Sequence, residues 1–325
     1  MPYEAPPLRI LFAGTPEFAL PSLERLHASG HDVVLVLTRP DARRGRGLHA
    51  AAPPVKEAAL QLGLEVYQPQ SINLPEALER AAEAAPNLGV VVAYGEILGR
   101  RALAVPPGGC LNVHASLLPK YRGAAPINWA LIRGEKETGV TVQRMAPRMD
   151  AGPVLAQRSA PIGAEETAGE LHDRLSLLAA EALVEVVDAL ADGTAPQPRP
   201  QDPALATLAP KLTAADRRID WSLPAERIHN LVRGLAPHPG ALARFTGARR
   251  APEAVTVLRA WPALAGDHPA QPVGTVIEAD ERSGIVVQAG DGAVALLRLK
   301  PASGKEMDAG DFIHGRRVES GDLFE

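Results

Sequence analysis

The stretch from Leu88 to Ala93, Leu-Gly-Val-Val-Val-Ala, constrains the fold more than any other part of this chain. It has none of the polar alternation of a strand that shows one face to water. A strand of this kind is buried on both faces, as in a parallel sheet covered by helices on each side. Around it, β-prone and helical runs alternate. Leu8–Phe12 reads as a strand, and Gly14-Thr15-Pro16 as a turn into a helix over Glu17–Ala28 that stops at Gly30. Asp32–Leu37 reads as a second strand. Pro53-Pro54 opens a helix to Leu62, because proline is accepted in a first helical turn. Leu64–Tyr67 follows as a short strand, Leu74–Ala84 as a helix, and Ala125–Gly134 as another. Such alternation predicts a doubly wound, Rossmann-like α/β domain, whose ligands bind outside the carboxyl ends of the strands.

At 325 residues the chain exceeds one ordinary core and implies two domains. A long helix begins near Thr167, with Glu170 in capping-box spacing, and runs to about Ala191. From Gly193 to Pro210 the composition shifts to Pro, Gln, Thr and Ala, which reads as an extended linker. Beyond it, β-prone runs recur at Ala241–Phe245, Val255–Arg259, Gly274–Ile277, Gly284–Gln288 and Val294–Leu299. These predict a small β-barrel or sandwich, preceded by a helix over Ala225–Leu235 placed between the domains. The boundaries are thus 1–192 for the first domain, 193–210 for the linker and 211–325 for the second.

A hydrophobic fraction of 46% and a charged fraction of 22% are those of a soluble globular protein. No apolar run approaches the ~20 residues that span a bilayer, and the chain enters a strand-like run at Leu8 with no room for a signal peptide. Cys110 is the only cysteine, so a disulfide framework and a thiolate metal cluster are both excluded, and a cytoplasmic protein is expected. His27 and His31 have helical spacing, but Gly30 lies between them and no acidic partner is evident, so no metal is expected.

The chemistry concentrates after Cys110. In Leu111-Asn112-Val113-His114, apolar and polar residues alternate, so Asn112 and His114 share one face of a strand. The strand breaks into a loop carrying Ser116, Pro119 and Gly123. Asn donates without titrating and His donates or shuttles a proton, which suits a reaction that builds negative charge on a carbonyl oxygen. Gly139–Gln143 reads as another strand, leading to Asp150-Ala151-Gly152-Pro153, where Gly and Pro permit a reversal. If the two strands are neighbours, Asp150 arrives beside His114 and orients its ring. Taken singly, His114 also fits an ordinary hydrogen-bonded residue, and Asp150 a turn former. Ser116 lacks the Gly-x-Ser-x-Gly elbow of a nucleophile, and Gly45-Arg46-Gly47 follows the second strand instead of the first, which argues against a dinucleotide fingerprint.

Asn112-Val113-His114, Ser116-Leu117-Leu118-Pro119-Lys120-Tyr121-Arg122-Gly123 and Asp150-Ala151-Gly152 together resemble the 10-formyltetrahydrofolate-dependent formyltransferases. The likeness extends to Arg9–Phe18, Val90–Gly95, Lys211-Leu212, Arg218–Ser222 and Pro237-His238-Pro239-Gly240, nearly the whole chain. It implies a Rossmann-like formyltransferase domain followed by an OB-like barrel that helps hold tRNA. The members it looks most like formylate the methionine carried by initiator tRNA. By the same resemblance, Asn112, His114 and Asp150 are the catalytic residues, and the co-substrate is 10-formyltetrahydrofolate, with no metal. Gly95, Glu96, Ile97 and Leu98, together with Ser116, Leu117, Leu118 and Pro119, are the folate-side residues, offering main-chain groups and an apolar wall.

A net charge of −4 counts mildly against a nucleic-acid partner, but phosphate contacts depend on local patches. Arg39, Arg43, Arg44 and Arg46 crowd one loop with Pro40, Gly45 and Gly47. In the resembled family an arginine-bearing insertion here contacts the acceptor end of tRNA, which assigns Arg43, Arg44 and Arg46 to that role. The expected partners are initiator methionyl-tRNA and the folate, without a membrane, and the expected form is a monomer. Transfer to a small amine such as an amino-sugar nucleotide, and hydrolysis of the formyl-folate, remain open alternatives.

Overall fold

A computed structural model describes residues 7–44, 49–248, 251–263 and 271–325. The chain forms two compact units, the first made of Met1–Pro126, Glu137–Pro161 and His172–Ala209, the second of Ile127–Lys136, Ile162–Leu171 and Pro210–Glu325.

In chain order the first half runs β1 (Arg9–Gly14), α1 (Leu20–Ala28), β2 (Asp32–Leu37), β3 (Ala42–Arg44), β4 (His49–Ala51), α2 (Pro54–Gln61), β5 (Val66–Tyr67), α3 (Pro75–Glu83), β6 (Leu88–Val92), α4 (Arg100–Leu103) and β7 (Cys110–His114). Then follow α5 (Pro126–Ile132), β8 (Glu137–Arg144), β9 (Val154–Pro161) and α6 (Ala168–Ala191). The first unit's sheet has the order β5-β2-β1-β6-β7-β8-β9. Its first five strands are parallel, while β8 and β9 are antiparallel additions at one edge. All five residues of β6 are buried, as its unbroken apolar sequence predicts. Leu11, Leu35, Leu37 and Val91 pack against Ala77, Leu78 and Ala81 of α3. Each fully buried leucine contributes about 1.5–3 kcal/mol relative to an exposed one.

From β1 the chain builds outward through β2 to β5, then returns to add β6 on the other side of β1. The crevice outside the carboxyl ends of β1 and β6 is therefore the topological switch point, where doubly wound sheets take their ligands.

Three differences from the sequence reading have local causes. The helix expected over Glu17–Ala28 opens as a 3-10 turn, Glu17–Ala19, before α1. Pro21 has no N–H to give Glu17 the bond that a continuous α-helix requires. The arginine-rich loop is a short hairpin at its base, with Arg43 opposite Ala50 and Arg44 opposite His49. Arg46 lies outside the described residues. The linker-like stretch is extended but not free of the first unit: Arg199 bridges Val154, and Leu208 runs parallel to Arg122.

The second unit contains α7 (Ala225–Leu235), β10 (Ala241–Thr246), β11 (Glu253–Ala263), β12 (Val276–Asp280), β13 (Gly284–Gln288), β14 (Ala293–Pro301), β15 (Met307–Asp308), α8 (Ala309–Arg316) and β16 (Leu323–Phe324). Its antiparallel order is β12-β13-β14-β11-β10-β16. Thr275 bridges Leu323, and Phe324 N donates to Gly274 O at 2.8 Å, so the two ends of that order meet and the sheet closes into a barrel. Ile228, Val232 and Leu235 of α7 enter this barrel's core with Phe245, Phe312 and Phe324, so the helix spends its apolar face within the second unit. The capping box at Thr167 forms as its spacing predicts: Thr167 N donates to Glu170 Oε2 at 2.8 Å and Glu170 N to Thr167 Oγ1 at 3.3 Å. Among the described residues no helix is long and apolar enough to cross a membrane.

Candidate active site

β7 lies between β6 and β8, with Asn112 opposite Val91 on one side and Gln143 on the other, and His114 opposite Thr141. Cross-strand partners share a face, so Asn112, Gln143, His114 and Thr141 stand together. His114 is only 7% exposed. Its Nε2 is 2.8 Å from Tyr121 O, and a carbonyl only accepts, so Nε2 carries a proton and donates it there. Nδ1 is left to face Asp150, whose Oδ1 is 3.7 Å away.

Asp150 occupies the β8–β9 connection with φ +49°, a left-handed conformation that Asp tolerates better than most residues. Its Oδ2 accepts from Gly123 N at 2.9 Å and its Oδ1 from Gln143 Nε2 at 3.5 Å. These bonds aim the carboxylate at the imidazole. Two residues on, Gly152 is required by close approach: a Cβ there would lie 1.8 Å from Arg144 O. Asn112 is half-buried, and among the described residues nothing hydrogen-bonds its side-chain amide. The strands thus bring together an oriented imidazole–carboxylate pair and an uncommitted amide donor, a set that can receive a developing negative charge and move a proton.

The loop after β7 is a braced shelf. Thr141 Oγ1 donates to Ser116 O at 2.6 Å and accepts from Leu118 N at 3.1 Å, while Gln157 Nε2 donates to Leu118 O at 2.8 Å. Ser116 is fully buried and its hydroxyl donates to Lys120 O at 2.7 Å. Leu118 is buried, whereas Leu117 and Pro119 are partly exposed. Ser116 O and both main-chain groups of Leu118 are thus engaged inside the protein, and Leu117 and Pro119 supply apolar surface.

The loop after β6 is braced in a different way. Gly95 adopts φ +88°. The Glu96 carboxylate turns inward and accepts from Ser71 Oγ, from Asn73 Nδ2 at 3.1 Å, from Ile72 N at 3.2 Å and from Arg39 Nη1 at 3.0 Å. Asn73 also receives Gly99 N at 2.6 Å and donates to Ile97 O at 2.9 Å. Leu98 is buried, but Ile97 is 65% exposed, an apolar side chain held outward on a fixed backbone. Tyr94 and Cys110 are buried nearby, and burial pushes both the phenol and the thiol up to about 12. Thr15 Oγ1 donates to Tyr94 O at 2.8 Å, tying the loop after β1 to the loop after β6 at the switch point.

Sequence reasoning missed Gln201, which donates to Asp150 O at 2.9 Å and Gly152 O at 2.7 Å. No local pattern in its Pro- and Gln-rich stretch signals these contacts. Thr141 and Gln157 were missed for the same reason: their work is on the loop across the sheet. Among the described residues no His, Cys, Asp or Glu side chains are grouped as a metal-binding set.

Comparison with known proteins agrees with this architecture. The formyl transferase family model matches residues 8–187, and the model of the formyl transferase C-terminal domain matches residues 211–317. Proteins named methionyl-tRNA formyltransferase are similar along almost the full chain. That of Caldanaerobacter subterraneus is 43% identical over 318 residues, covering 97% of this chain and 99% of the relative. That of Thiobacillus denitrificans is 46% identical over 314 residues, covering 97% and 98%. Among solved structures, HypX from Aquifex aeolicus in complex with tetrahydrofolic acid superposes with a TM-score of 0.62 at 20% identity, over 98% of this chain and 50% of that one. WlaRD, a sugar 3N-formyl transferase, gives a TM-score of 0.65 at 14% identity, over 92% and 99%. At these identities the structural likeness is one of fold. With both parts matched by its models, and relatives above 40% identity end to end, the chain belongs to the formyl transferase family.

Proposed function

We propose that this enzyme transfers the formyl group of 10-formyltetrahydrofolate to the α-amino group of methionine esterified to initiator tRNA, in the cytoplasm. The observation that carries the chemistry is His114 Nδ1 facing the carboxylate of Asp150, with the Asn112 amide, unpaired among the described residues, on the same strand as His114. The choice of acceptor is supported by the relatives of that name, which are similar over both units.

As co-substrate, the folate supplies a formyl carbonyl to the attacking amine and a leaving nitrogen. Asn112 donates to the carbonyl oxygen as negative charge gathers on it, which is the largest electrostatic demand of acyl transfer. His114, anchored through Nε2, offers Nδ1 to the same region. Asp150 holds the imidazole's orientation and relays the proton lost by the amine toward the departing nitrogen. The crevice at the switch point suits a flat, partly apolar ligand: Ile97, Leu117 and Pro119 give surface, on loops braced through Ile97 O and Leu118 N. Arg43, Arg44 and Arg46 serve the tRNA backbone, where a basic hairpin gains affinity by releasing counterions. The second unit's barrel is the further tRNA-holding surface.

The test is to incubate the enzyme with 10-formyltetrahydrofolate and either charged initiator tRNA or a panel of small amines, amino-sugar nucleotides included. Formylmethionyl-tRNA should form at a kcat/KM far above that for any small amine. Preferential formylation of an amino sugar, or release of free formate alone, would refute the assignment.

A further inference from the structure

Gln201 reaches from the segment after α6 into the turn that carries Asp150. Its side-chain nitrogen lies 3.1 Å from Gln143 Oε1, 2.9 Å from Asp150 O and 2.7 Å from Gly152 O. An amide has two hydrogens, so three acceptors share them. Its oxygen accepts from Arg122 Nε at 3.2 Å and Nη2 at 2.6 Å. Arg122 is 6% exposed, and among the described residues its guanidinium hydrogen-bonds to Gln201 alone.

A guanidinium withdrawn from water is costly unless its donors are used. Placed on the amide oxygen, it draws electron density from the nitrogen and strengthens the hydrogen bonds that the N–H groups donate on the far side, since linked hydrogen bonds polarise one another. Those N–H groups hold the two carbonyls that flank the turn. They also hold Gln143, which in turn donates to Asp150 Oδ1. Both the main chain and the carboxylate of Asp150 therefore depend on Gln201, at a residue kept in a left-handed conformation. The segment itself is pinned here, with Arg122 N donating to Thr207 O at 2.8 Å and Ala209 N to Arg122 O at 2.8 Å.

We infer that Gln201, backed by the buried guanidinium of Arg122, is a positioning residue that holds the Asp150 carboxylate against His114. This rests on the catalytic reading of Asp150 given above, and the experiment separates the two. Gln201→Met keeps length and removes every polar contact. Gln201→Glu keeps an acceptor for Arg122 but turns an oxygen toward three acceptors. Each should lower kcat about 10- to 100-fold, as a displacement near 1 Å does, with KM for both substrates little changed. The decisive comparison is the double variant Asp150→Asn/Gln201→Met, which should be no slower than Asp150→Asn alone because both changes act at one point. Arg122→Lys, which leaves Gln201 in place but loses the fork, should show a smaller kcat loss with the same non-additivity, and it serves if Gln201→Met does not fold. Near-normal kcat in the Gln201 variants, or losses that multiply in the double variant, would overturn the positioning role. A near-normal Asp150→Asn enzyme would instead overturn the catalytic reading on which it rests.

Discussion

The proton that His114 Nε2 donates to Tyr121 O at 2.8 Å leaves Nδ1 as the nitrogen available to Asp150, 3.7 Å away. The ring cannot turn over without breaking a buried bond, so exchange at Nδ1 depends on the carboxylate. Asp150→Asn preserves size and an acceptor for Gly123 N but removes the negative charge. Turnover should fall by about 10²–10⁴-fold, the range for losing a proton-transfer partner. KM should hold, and the thermal midpoint should stay close to that of the parent. Steady-state kinetics beside a melting curve decide it, and a variant with parental kcat would remove Asp150 from the chemistry.

Asn112 makes the complementary case. Its amide has no partner among the described residues, so Asn112→Ala breaks no internal hydrogen bond and should change stability by no more than about 0.5 kcal/mol. Loss of a donor to the developing oxyanion should nevertheless reduce kcat by about 10²–10³-fold. Loss of stability with intact turnover would mark Asn112 as part of the packing only.

What could be read from the chain and what could not divide along a physical line. β6 is legible because its burial on both faces is written into six consecutive residues, and β7 because a period of two shows in four. The meeting of His114 with Asp150 was conditional on β7 and β8 being neighbours, and they are paired, His114 opposite Thr141. Gln201 was illegible because its contacts lie 51 and 58 residues back, at Asp150 and Gln143, and an extended Pro-rich stretch has no periodicity to show which side is held. Glu96 shows the same limit. Its place in the crevice loop was readable, yet its inward direction is set by Arg39, Ser71 and Asn73, which only the fold brings near.

Glu96 accordingly should act on binding through its loop. Glu96→Ala strands Ile72 N, and an unsatisfied buried donor costs about 1–3 kcal/mol, whereas the exposed Asn73 amide keeps its bond to Ile97 O and reaches water. Denaturant midpoints should fall to match. KM for the formyl donor should rise about tenfold with kcat little affected, since β7 and the Asp150 turn are untouched. Glu96→Gln, which keeps one acceptor oxygen, should recover part of both. Lower stability with unchanged KM would show that the loop after β6 is no part of the donor site.

The arginine hairpin makes an electrostatic prediction. Arg43 and Arg44 lie on the paired base of the hairpin, and Arg46 follows between two glycines in the sequence. A cation on a tRNA phosphate acts by counterion release, so its removal weakens binding and also flattens the dependence on salt. Arg46→Ala should raise KM for methionyl-tRNA, leave KM for the folate unchanged, and reduce the slope of log affinity against log salt by about 1. Arg43→Ala and Arg44→Ala, tested in the same way, show which of the three touches phosphate. If Arg46→Ala raised KM equally at every salt concentration, the residue would be shaping the hairpin and not meeting a phosphate, and the tRNA contact would have to be sought elsewhere on the protein.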